Sequence, residues 1–343
     1  PMLILRSEEK AITFISFSLI NVTVTMALNI YFVVHLNKGV DGVLKANIIA
    51  SGLVSILSLP IIFRITKIRF FKKSILLKVL RFSLPFLPAG IFTMIMELSD
   101  RYLIEWLLGT AEVGLYSAGK KMGMLGLTAV MGFNMGWTPF FLKRGKNKNA
   151  KKEFKIITTI FLGVMGYICF LVSLWISDLM KFTIFGATLI GVEFWDCESI
   201  VSLILLGYFF FGTYVIQLPG VYIKEITGWI PFFRIIGASV LVLSSIIIIP
   251  IFGIYGAAIG VVLAFFSMSL SIYLKVQTVY SIPYNWRGIM FPILALLLVQ
   301  IRFDIVMYKM VFSLLFPFIW FLFATENEER EIFKNQFLQF FKK

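Results

Sequence analysis

Residues 229–250 read WIPFFRIIGASVLVLSSIIIIP, and residues 254–275 read IYGAAIGVVLAFFSMSLSIYLK. A helix needs about 20 apolar residues to cross the hydrocarbon core of a bilayer, and both segments reach that length. The first contains one charged residue, Arg234, and the second contains only Lys275, at its end. Two such segments joined by a short turn predict a pair of membrane-spanning helices.

The rest of the chain has the same character. Hydrophobic residues make up 59% of it and charged residues 15%, whereas soluble domains have about 25% charged residues. A water-soluble chain could not bury so much apolar side chain in one core. Candidate spans of similar length lie at 12–35, 44–63, 82–108, 113–142, 156–176, 199–223, 229–250, 254–275, 287–302 and 304–324. The sequence therefore predicts an all-α integral membrane protein with about ten transmembrane helices.

The charges indicate how the chain crosses the membrane. Segments 64–81 and 143–155 have net charges of +7 and +6, out of +14 for the whole chain. Basic loops stay on the cytoplasmic side, and the acidic segment 177–198 falls on the other side of a ten-span chain. Both chain ends are then cytoplasmic. Because the cations flank apolar spans, the predicted partners are anionic phospholipids and not nucleic acid.

The order of these segments suggests a domain organisation. The long basic segment 64–81 is the expected cytoplasmic loop between two lobes, with two spans before it in 1–63. Six spans follow in 82–275, and a terminal pair of helices occupies 276–324. In 325–343, four phenylalanines share one helical face, which predicts an amphipathic tail on the cytoplasmic membrane surface.

Charged residues cluster in the span 82–108, which contains Glu97, Asp100, Arg101 and Glu105. An ionised side chain costs about 2.5–3.5 kcal/mol at the centre of a membrane, so these groups should face protein or a watery cavity. Glu97 and Arg101 are four residues apart and can pair on one helix face. Asp100 is then available to Lys120 or Lys121 of the next span.

This cluster has two readings. It either ties two helices together or forms part of a solute pathway, and both can hold, since paired charges inside membranes often mark such pathways. Six further polar residues could line the same cavity, although each one alone is also explained by helix–helix hydrogen bonding: Asn21, Asn29, Asn134, Gln217, Lys224 and Arg234. Pro85, Pro88 and Pro139 are the candidate hinge or kink positions, because proline removes a backbone donor.

The sequence offers little support for an enzyme. It contains one histidine, His35, two cysteines without metal-ligand spacing, and no nucleotide-binding or catalytic motif. We therefore predict no catalytic residues, no metal and no cofactor. Transport by such a chain would not use its own ATP hydrolysis, and a proton or sodium gradient is the candidate energy source.

Several short motifs stand out along the chain. They are Ser83-Leu84-Pro85, Ser99-Asp100-Arg101-Tyr102, Glu112-Val113-Gly114-Leu115-Tyr116-Ser117, Phe133-Asn134, Trp137-Thr138-Pro139-Phe140-Phe141 and Gly253-Ile254-Tyr255-Gly256. Together they resemble the polysaccharide export family, the O-antigen and teichoic-acid flippases of the multidrug/oligosaccharidyl-lipid/polysaccharide exporter superfamily. The resemblance extends over nearly the whole chain. It implies a two-lobe exporter fold around a central cavity.

The resemblance also implies a function. Such proteins act as secondary transporters that flip a polyprenyl-pyrophosphate-linked oligosaccharide across the prokaryotic cytoplasmic membrane for surface polysaccharide biosynthesis. Glycan polymerase or glycosyltransferase machinery would be a partner. Cations in the cavity would suit the pyrophosphate, and the candidates are Arg101, Lys120, Lys121, Lys224 and Arg234.

The chain departs from this pattern at its start. Spans 12–35 and 44–63 resemble the last two helices of a first lobe, so 1–63 looks like the remnant of an N-terminal lobe without its first four helices. Whether this reflects truncation or a real feature stays open. We expect the chain alone to be unable to complete a transport cycle, and complementation of a flippase-null strain by it would contradict this.

Other functions compete with this one. A cation-coupled multidrug exporter of the same superfamily would produce drug-resistance phenotypes and leave surface glycans unchanged. A membrane enzyme such as a glycan polymerase would need a large outside loop with essential arginines, and segment 177–198 has none. A membrane scaffold without transport activity would not need the intramembrane charges.

Overall fold

The computed structural model describes residues 5, 10–65, 72–184, 187–188, 190–300, 305–326 and 329–330, and nearly all of them are helical. The chain divides into two compact units, Pro1–Val79 and Leu80–Lys343. This division lies inside the basic segment 64–81. Most of the predicted amphipathic tail, from 331 onward, lies outside the described residues.

The first unit contains a helical hairpin. Helix α1 (Ala11–Asn29) continues as a π-helical turn (Ile30–His35), and α2 (Gly39–Ile65) follows. Gly39 has a φ of +51° in the link, a conformation that glycine adopts without steric cost. Large apolar side chains are exposed along both helices, among them Ile12, Leu19 and Ile48. Such a surface suits contact with lipid or with other helices.

The predicted cytoplasmic loop 64–81 is in part a helix. Helix α3 (Lys73–Ser83) contains its last basic residues, and α4 (Phe86–Leu108) follows after a break of two residues. Pro85 lies at the N-cap of α4 and so marks this break. Pro88 lies in the first turn of α4, where backbone N–H groups have no partner within the helix. Proline is tolerated at such a position, so the role of Pro88 as a kink stays a prediction.

The next two helices are the longest. Helix α5 (Thr110–Arg144) has 35 residues and α6 (Ala150–Lys181) has 32. At 1.5 Å per residue, each extends for roughly 50 Å, beyond a hydrocarbon core about 30 Å thick. Gly109 joins α4 to α5 with a φ of +100°. Pro139 lies inside α5, which continues past it, so its role as a hinge stays a prediction.

A short antiparallel pair of strands follows α6. Strand β1 (Thr183–Ile184) pairs with β2 (Ala187–Thr188), and a 3₁₀ turn (Val192–Cys197) leads into α7 (Glu198–Val215). The sequence predicted one span over 199–223. The structure instead ends α7 at Val215 and begins a short helix, α8 (Leu218–Ile223). Pro219 explains the break, because it cannot donate to the carbonyl of Val215.

Four helices complete the second unit. They are α9 (Ile230–Phe252), α10 (Ile254–Val279), α11 (Trp286–Leu298) and α12 (Val306–Ile319), which continues as a π-helical turn (Trp320–Ala324). Gly253 joins α9 to α10 with a φ of +59°. Helix α12 packs on α6 through Phe316, whose ring centroid lies 5.0 Å from that of Phe170.

Eight helical segments of the described residues are long and apolar enough to cross a membrane. They correspond to eight of the ten predicted spans. The other two predictions fall on α5, which is long but rich in glycine and charged residues, and on α11, which is apolar but has only 13 residues. The all-helical membrane architecture predicted from the sequence is confirmed.

Glycines bring α5 and α7 close together. A Cβ atom at Gly123 would lie 2.4 Å from Cγ2 of Ile204, and one at Gly119 would lie 2.8 Å from Ile200. Gly126 faces Leu205 in the same way, at 3.0 Å. These three glycines lie at helical spacing and form one seam, as expected where membrane helices pack tightly.

Candidate substrate cavity

A buried network of charges joins α4 to α5. Asp100 is completely buried. Its Oδ2 accepts hydrogen bonds from Lys120 Nζ and from the Tyr116 hydroxyl, the latter at 2.8 Å. Its Oδ1 accepts one from the backbone N–H of Arg101 at 2.9 Å. The contact that the sequence predicted between Asp100 and Lys120 is present.

This network neutralises its own charges. Lys120 is 7% exposed, and its ammonium also donates to the carbonyl of Glu97 at 3.0 Å. A buried ion pair is stable only when good geometry and further hydrogen bonds offset the loss of water, and both are present here. The pair therefore connects two helices and adds no net charge to its surroundings.

A cavity of about 240 Å³ lies beside this network, between α4, α5, α7, α9 and α10. Four of its lining residues are charged: Glu97, Arg101, Lys120 and Arg234. The others are Thr93, Met96, Leu98, Met124, Leu127, Met131, Tyr208, Phe211, Val261, Phe265 and Met268. We call this space the central cavity.

The charge of the central cavity is positive. Asp100, which does not line the cavity, neutralises the charge of Lys120. The charges that remain in the lining are the two positive ones of Arg101 and Arg234 and the negative one of Glu97. The cavity is walled by apolar side chains, and interactions between charges are stronger in such surroundings than in water. An anionic group is therefore the ligand that this charge distribution favours.

Arg101 has unused hydrogen-bonding capacity. Its Nε is buried and has no partner among the described residues. Within the same described part of the chain, Arg101 and Glu97 line one cavity but form no ion pair within 4 Å, so the predicted pairing of these two residues is wrong. A buried donor without a partner is costly, and a ligand oxygen would remove that cost.

Arg234 is held in place by a neighbour. Its Nη1 donates to the Thr93 hydroxyl, which itself donates to the carbonyl of Ala89 at 2.8 Å. The Arg234 Nε is buried and has no partner in the part of the chain that the structure describes. The two arginines thus enter the cavity from different helices, α4 and α9, each with a buried donor to offer.

Flexible and apolar side chains form the remaining walls of the cavity. Met96, Met124, Met131 and Met268 contribute thioether side chains, and Phe211 and Phe265 contribute rings. Methionine is flexible and polarizable, so methionine-rich surfaces adapt to ligands of different shape. The cavity therefore combines a fixed cationic part with an adaptable wall.

Several predicted site residues lie elsewhere. Lys121 and Lys224 are exposed, and neither lines the central cavity. Asn134 accepts a hydrogen bond from the Thr138 hydroxyl at 3.0 Å, one turn along α5. Gln217 is buried, donates to the carbonyl of Thr213 at 2.7 Å, and borders a smaller apolar cavity of about 90 Å³. The structure brings together only Glu97, Asp100, Arg101, Lys120 and Arg234.

Three residues that the sequence analysis did not select complete the site. The Tyr116 hydroxyl donates a hydrogen bond to Asp100, and the Thr93 hydroxyl accepts one from Arg234. Tyr208 lines the cavity. Helical spacing could have indicated Tyr116, because it lies four residues before Lys120 on one face of α5. The positions of Thr93 and Tyr208 in the site result from contacts between helices that are distant in sequence, so no local sequence pattern predicts them.

Comparison with known proteins relates part of this chain to a family of membrane proteins. Residues 3–145 match the family model described as polysaccharide biosynthesis protein. This range includes the Asp100 network and the α4 and α5 walls of the central cavity. Over these residues, the match agrees with the family resemblance seen in the sequence. A comparison with curated proteins found no match.

The fold is similar to that of solved membrane transporters. A MATE protein in the straight conformation has a TM-score of 0.61 to this chain at 16% identity, with 80% of this chain and 64% of that one covered. The Vibrio cholerae MATE transporter VcmN in its bent form has a TM-score of 0.55 at 13% identity, with coverages of 82% and 63%. The chain shares the fold of MATE transporters. It spans less than two thirds of their length.

These relatives belong to one superfamily, that of multidrug, oligosaccharidyl-lipid and polysaccharide exporters. The family and the solved structures that match this chain are transporters and not enzymes. The chain is accordingly a multi-pass membrane protein with an exporter fold.

Proposed function

We propose that the protein containing this chain flips a lipid-linked oligosaccharide, carried on a polyprenyl pyrophosphate, from the cytoplasmic to the outer leaflet of a prokaryotic cytoplasmic membrane. The observation that carries the proposal is the pair of arginines with unpartnered buried donors in a cationic cavity. The match of 3–145 to polysaccharide biosynthesis proteins supports a glycan precursor as the cargo.

The cavity suits the pyrophosphate chemically. Guanidinium groups present planar donors that match phosphate oxygens, and charge-assisted hydrogen bonds are about twice as strong as neutral ones. Arg101 and Arg234 would bind the pyrophosphate from two helices. The Asp100–Lys120 pair would hold α4 and α5 in the arrangement that positions Arg101.

The charge distribution of the chain supports the orientation we propose. Both ends of the chain and the basic segments 64–81 and 143–155 would be cytoplasmic, where anionic phospholipids attract them. The transporter would work by alternating access, driven by a proton or sodium gradient. It would receive its substrate from glycosyltransferases and deliver it to a glycan polymerase.

A cation-coupled multidrug exporter is the second candidate. The MATE-like fold and the methionine-rich wall of the cavity favour it, because such a wall adapts to varied apolar molecules. The positive charge of the cavity disfavours it for cationic drugs. Glu97 is the one carboxylate that lines the cavity among the described residues.

The test compares substitutions inside and outside the cavity in the full-length protein. Reconstituted in liposomes, Arg101→Ala and Arg234→Ala should each slow flipping of the native lipid-linked oligosaccharide by about tenfold or more, since each removes charge-assisted hydrogen bonds worth about 1.5–3 kcal/mol. Lys121→Ala is the matched control, because this lysine is exposed and outside the cavity.

Each outcome distinguishes between the two candidates. Slower flipping with the arginine variants and normal flipping with Lys121→Ala would support the glycan transporter. Unchanged flipping in all three variants would remove both arginines from the site, and absence of flipping by the parent protein would contradict the glycan transporter. In cells that carry the same arginine variants, loss of drug resistance with unchanged surface glycan would favour the multidrug exporter.

A further inference from the structure

A second, mostly polar cleft lies at the end of the second unit where α6 terminates. It has a volume of about 310 Å³ and lies between α6, α7, α10, α11 and α12. A hollow of about 390 Å³ adjoins it and shares Lys181, Glu198, Ser199 and Tyr255. We call the two together the outer cleft. The first hollow is lined by Ser173, Leu174, Ile176, Ser177, Asp178, Lys181, Glu198, Ser199, Ser202, Tyr255, Val299, Gln300 and Lys309.

Hydroxyl and amide groups dominate this surface. Ser173 is 6% exposed, and its buried Oγ has no partner in the described part of the chain. Ser202 donates to Oε1 of Gln300 at 2.9 Å, and Gln300 is exposed to the cleft. An unpartnered hydroxyl buried beside an open polar space indicates a position where a polar ligand or water completes the hydrogen bonding.

The charges of the outer cleft nearly balance, at two lysines against three carboxylates. Lys309 is 6% exposed and donates to Oδ2 of Asp178 at 2.5 Å. Lys181 donates to the Ser177 hydroxyl at 3.0 Å, and Glu198 is the second carboxylate. The two lysines balance these two carboxylates in the first hollow, and Asp196 adds one negative charge in the second, so the outer cleft does not favour an anionic group such as a pyrophosphate. A neutral ligand with many hydroxyl groups fits these donors and acceptors better.

Aromatic rings border the cleft. Tyr255 is 42% exposed and lines both hollows. Trp195 lines the second hollow, with Lys181 Nζ 5.5 Å from its ring centroid. Aromatic groups that present an apolar face with a polar edge can contact the apolar side of a ring-shaped ligand while nearby polar groups bond its hydroxyls.

We infer that the outer cleft binds the neutral sugar portion of the transported molecule, separately from the central cavity. This inference rests on the proposed function for the identity of its ligand. The two sites are distinct along α7: Ser202 lines the cleft and Tyr208 lines the cavity, about 9 Å apart along the helix axis. The cavity would recognise the phosphate and the cleft would select the glycan.

The experiment measures how bound sugar protects a cysteine in the cleft. Ser177→Cys places a thiol in the cleft, and Val192→Cys is the control, because Val192 is 63% exposed and lines neither hollow. Both native cysteines are fully buried, so their background labelling should be low. The probe is the oligosaccharide released by mild acid from the lipid-linked oligosaccharides of the source membranes. It therefore carries no pyrophosphate.

Millimolar released oligosaccharide should slow maleimide labelling of the full-length Ser177→Cys protein by about tenfold and leave Val192→Cys unchanged. Adding Gln300→Ala should weaken the sugar affinity by about fivefold, because it removes one hydrogen-bonding group from the cleft and the acceptor that orients the Ser202 hydroxyl. Leu298→Ala is the matched control, since Leu298 is exposed, lies only two residues before Gln300 at the end of α11, and lines neither hollow.

The outcomes separate this inference from the proposed function. If liposomes flip the lipid-linked oligosaccharide but the released sugar gives no protection, the sugar site is wrong and the transporter stands. If sugar protects the thiol while flipping is absent, the transporter is wrong and the sugar site stands. Protection by sodium or calcium chloride and not by sugar would show a cation site and overturn the inference.

Discussion

Two lysine–aspartate pairs among the described residues of the second unit differ in one respect. In the central cavity, the side chains of Lys120 and Asp100 are 9% and 0% exposed. In the outer cleft, those of Lys309 and Asp178 are 8% and 45% exposed. Both lysines are buried, but only one of the two carboxylates reaches water.

Because of this difference in exposure, the two pairs have different roles. Asp100 uses its oxygens to accept from Lys120, Tyr116 and a backbone N–H, so it offers nothing to a ligand. The closed pair stabilises the α4–α5 contact and leaves the arginines to provide the charge of the cavity. Asp178 keeps accessible oxygen surface, so the open pair can also bond a ligand in the cleft.

The largest effect is expected at the closed pair. Lys120→Met leaves Asp100 charged and buried, and breaking a buried pair in this way costs about 3–5 kcal/mol. The free energy of unfolding in mixed detergent micelles measures this. The double variant Asp100→Asn with Lys120→Met should recover most of the loss, because it removes the uncompensated charge. A single variant as stable as the parent would show that the pair does not hold the helices together.

The open pair should respond asymmetrically. Asp178→Ala leaves the Lys309 ammonium buried without an acceptor, which costs about 1–3 kcal/mol. Lys309→Met leaves Asp178 in contact with water, and should cost no more than about 1 kcal/mol. The same unfolding measurement compares the two. Equal costs would mean that Asp178 is as enclosed as Asp100 and would remove the distinction between the pairs.

The seam of α5 and α7 connects the two regions, because α7 lines both. Gly123→Ala should lower the free energy of unfolding by about 1–3 kcal/mol through overpacking against Ile204. Gly132→Ala is the control: its Cβ would meet open space, and alanine favours a helix by about 1 kcal/mol. The two substitutions should therefore have opposite signs. A stabilising Gly123→Ala would mean that the helices separate at this point.

These contrasts show which features the sequence could predict. Membrane spans follow from apolar length, a local property, so α9 and α10 could be predicted from their residues alone. The contact between Asp100 and Lys120 could also be predicted from the sequence, because the two residues lie at a similar depth in the membrane on consecutive helices. The unpaired state of Arg101 did not follow, since helical spacing permits the pair with Glu97 and only the surrounding packing decides it. Lys309 and Asp178 are 131 residues apart, and no sequence pattern links them.

The smallest effect is expected at an exposed pair. Lys45 Nζ lies 2.6 Å from Asp41 Oδ2 on α2, with side chains 49% and 65% exposed. Water solvates both groups after either is removed, so Lys45→Met should leave the unfolding midpoint unchanged. This pair has a short contact like the other two but lacks their burial. A measurable loss here would mean that the ion pair itself, and not the burial of its members, determines the stabilities compared above.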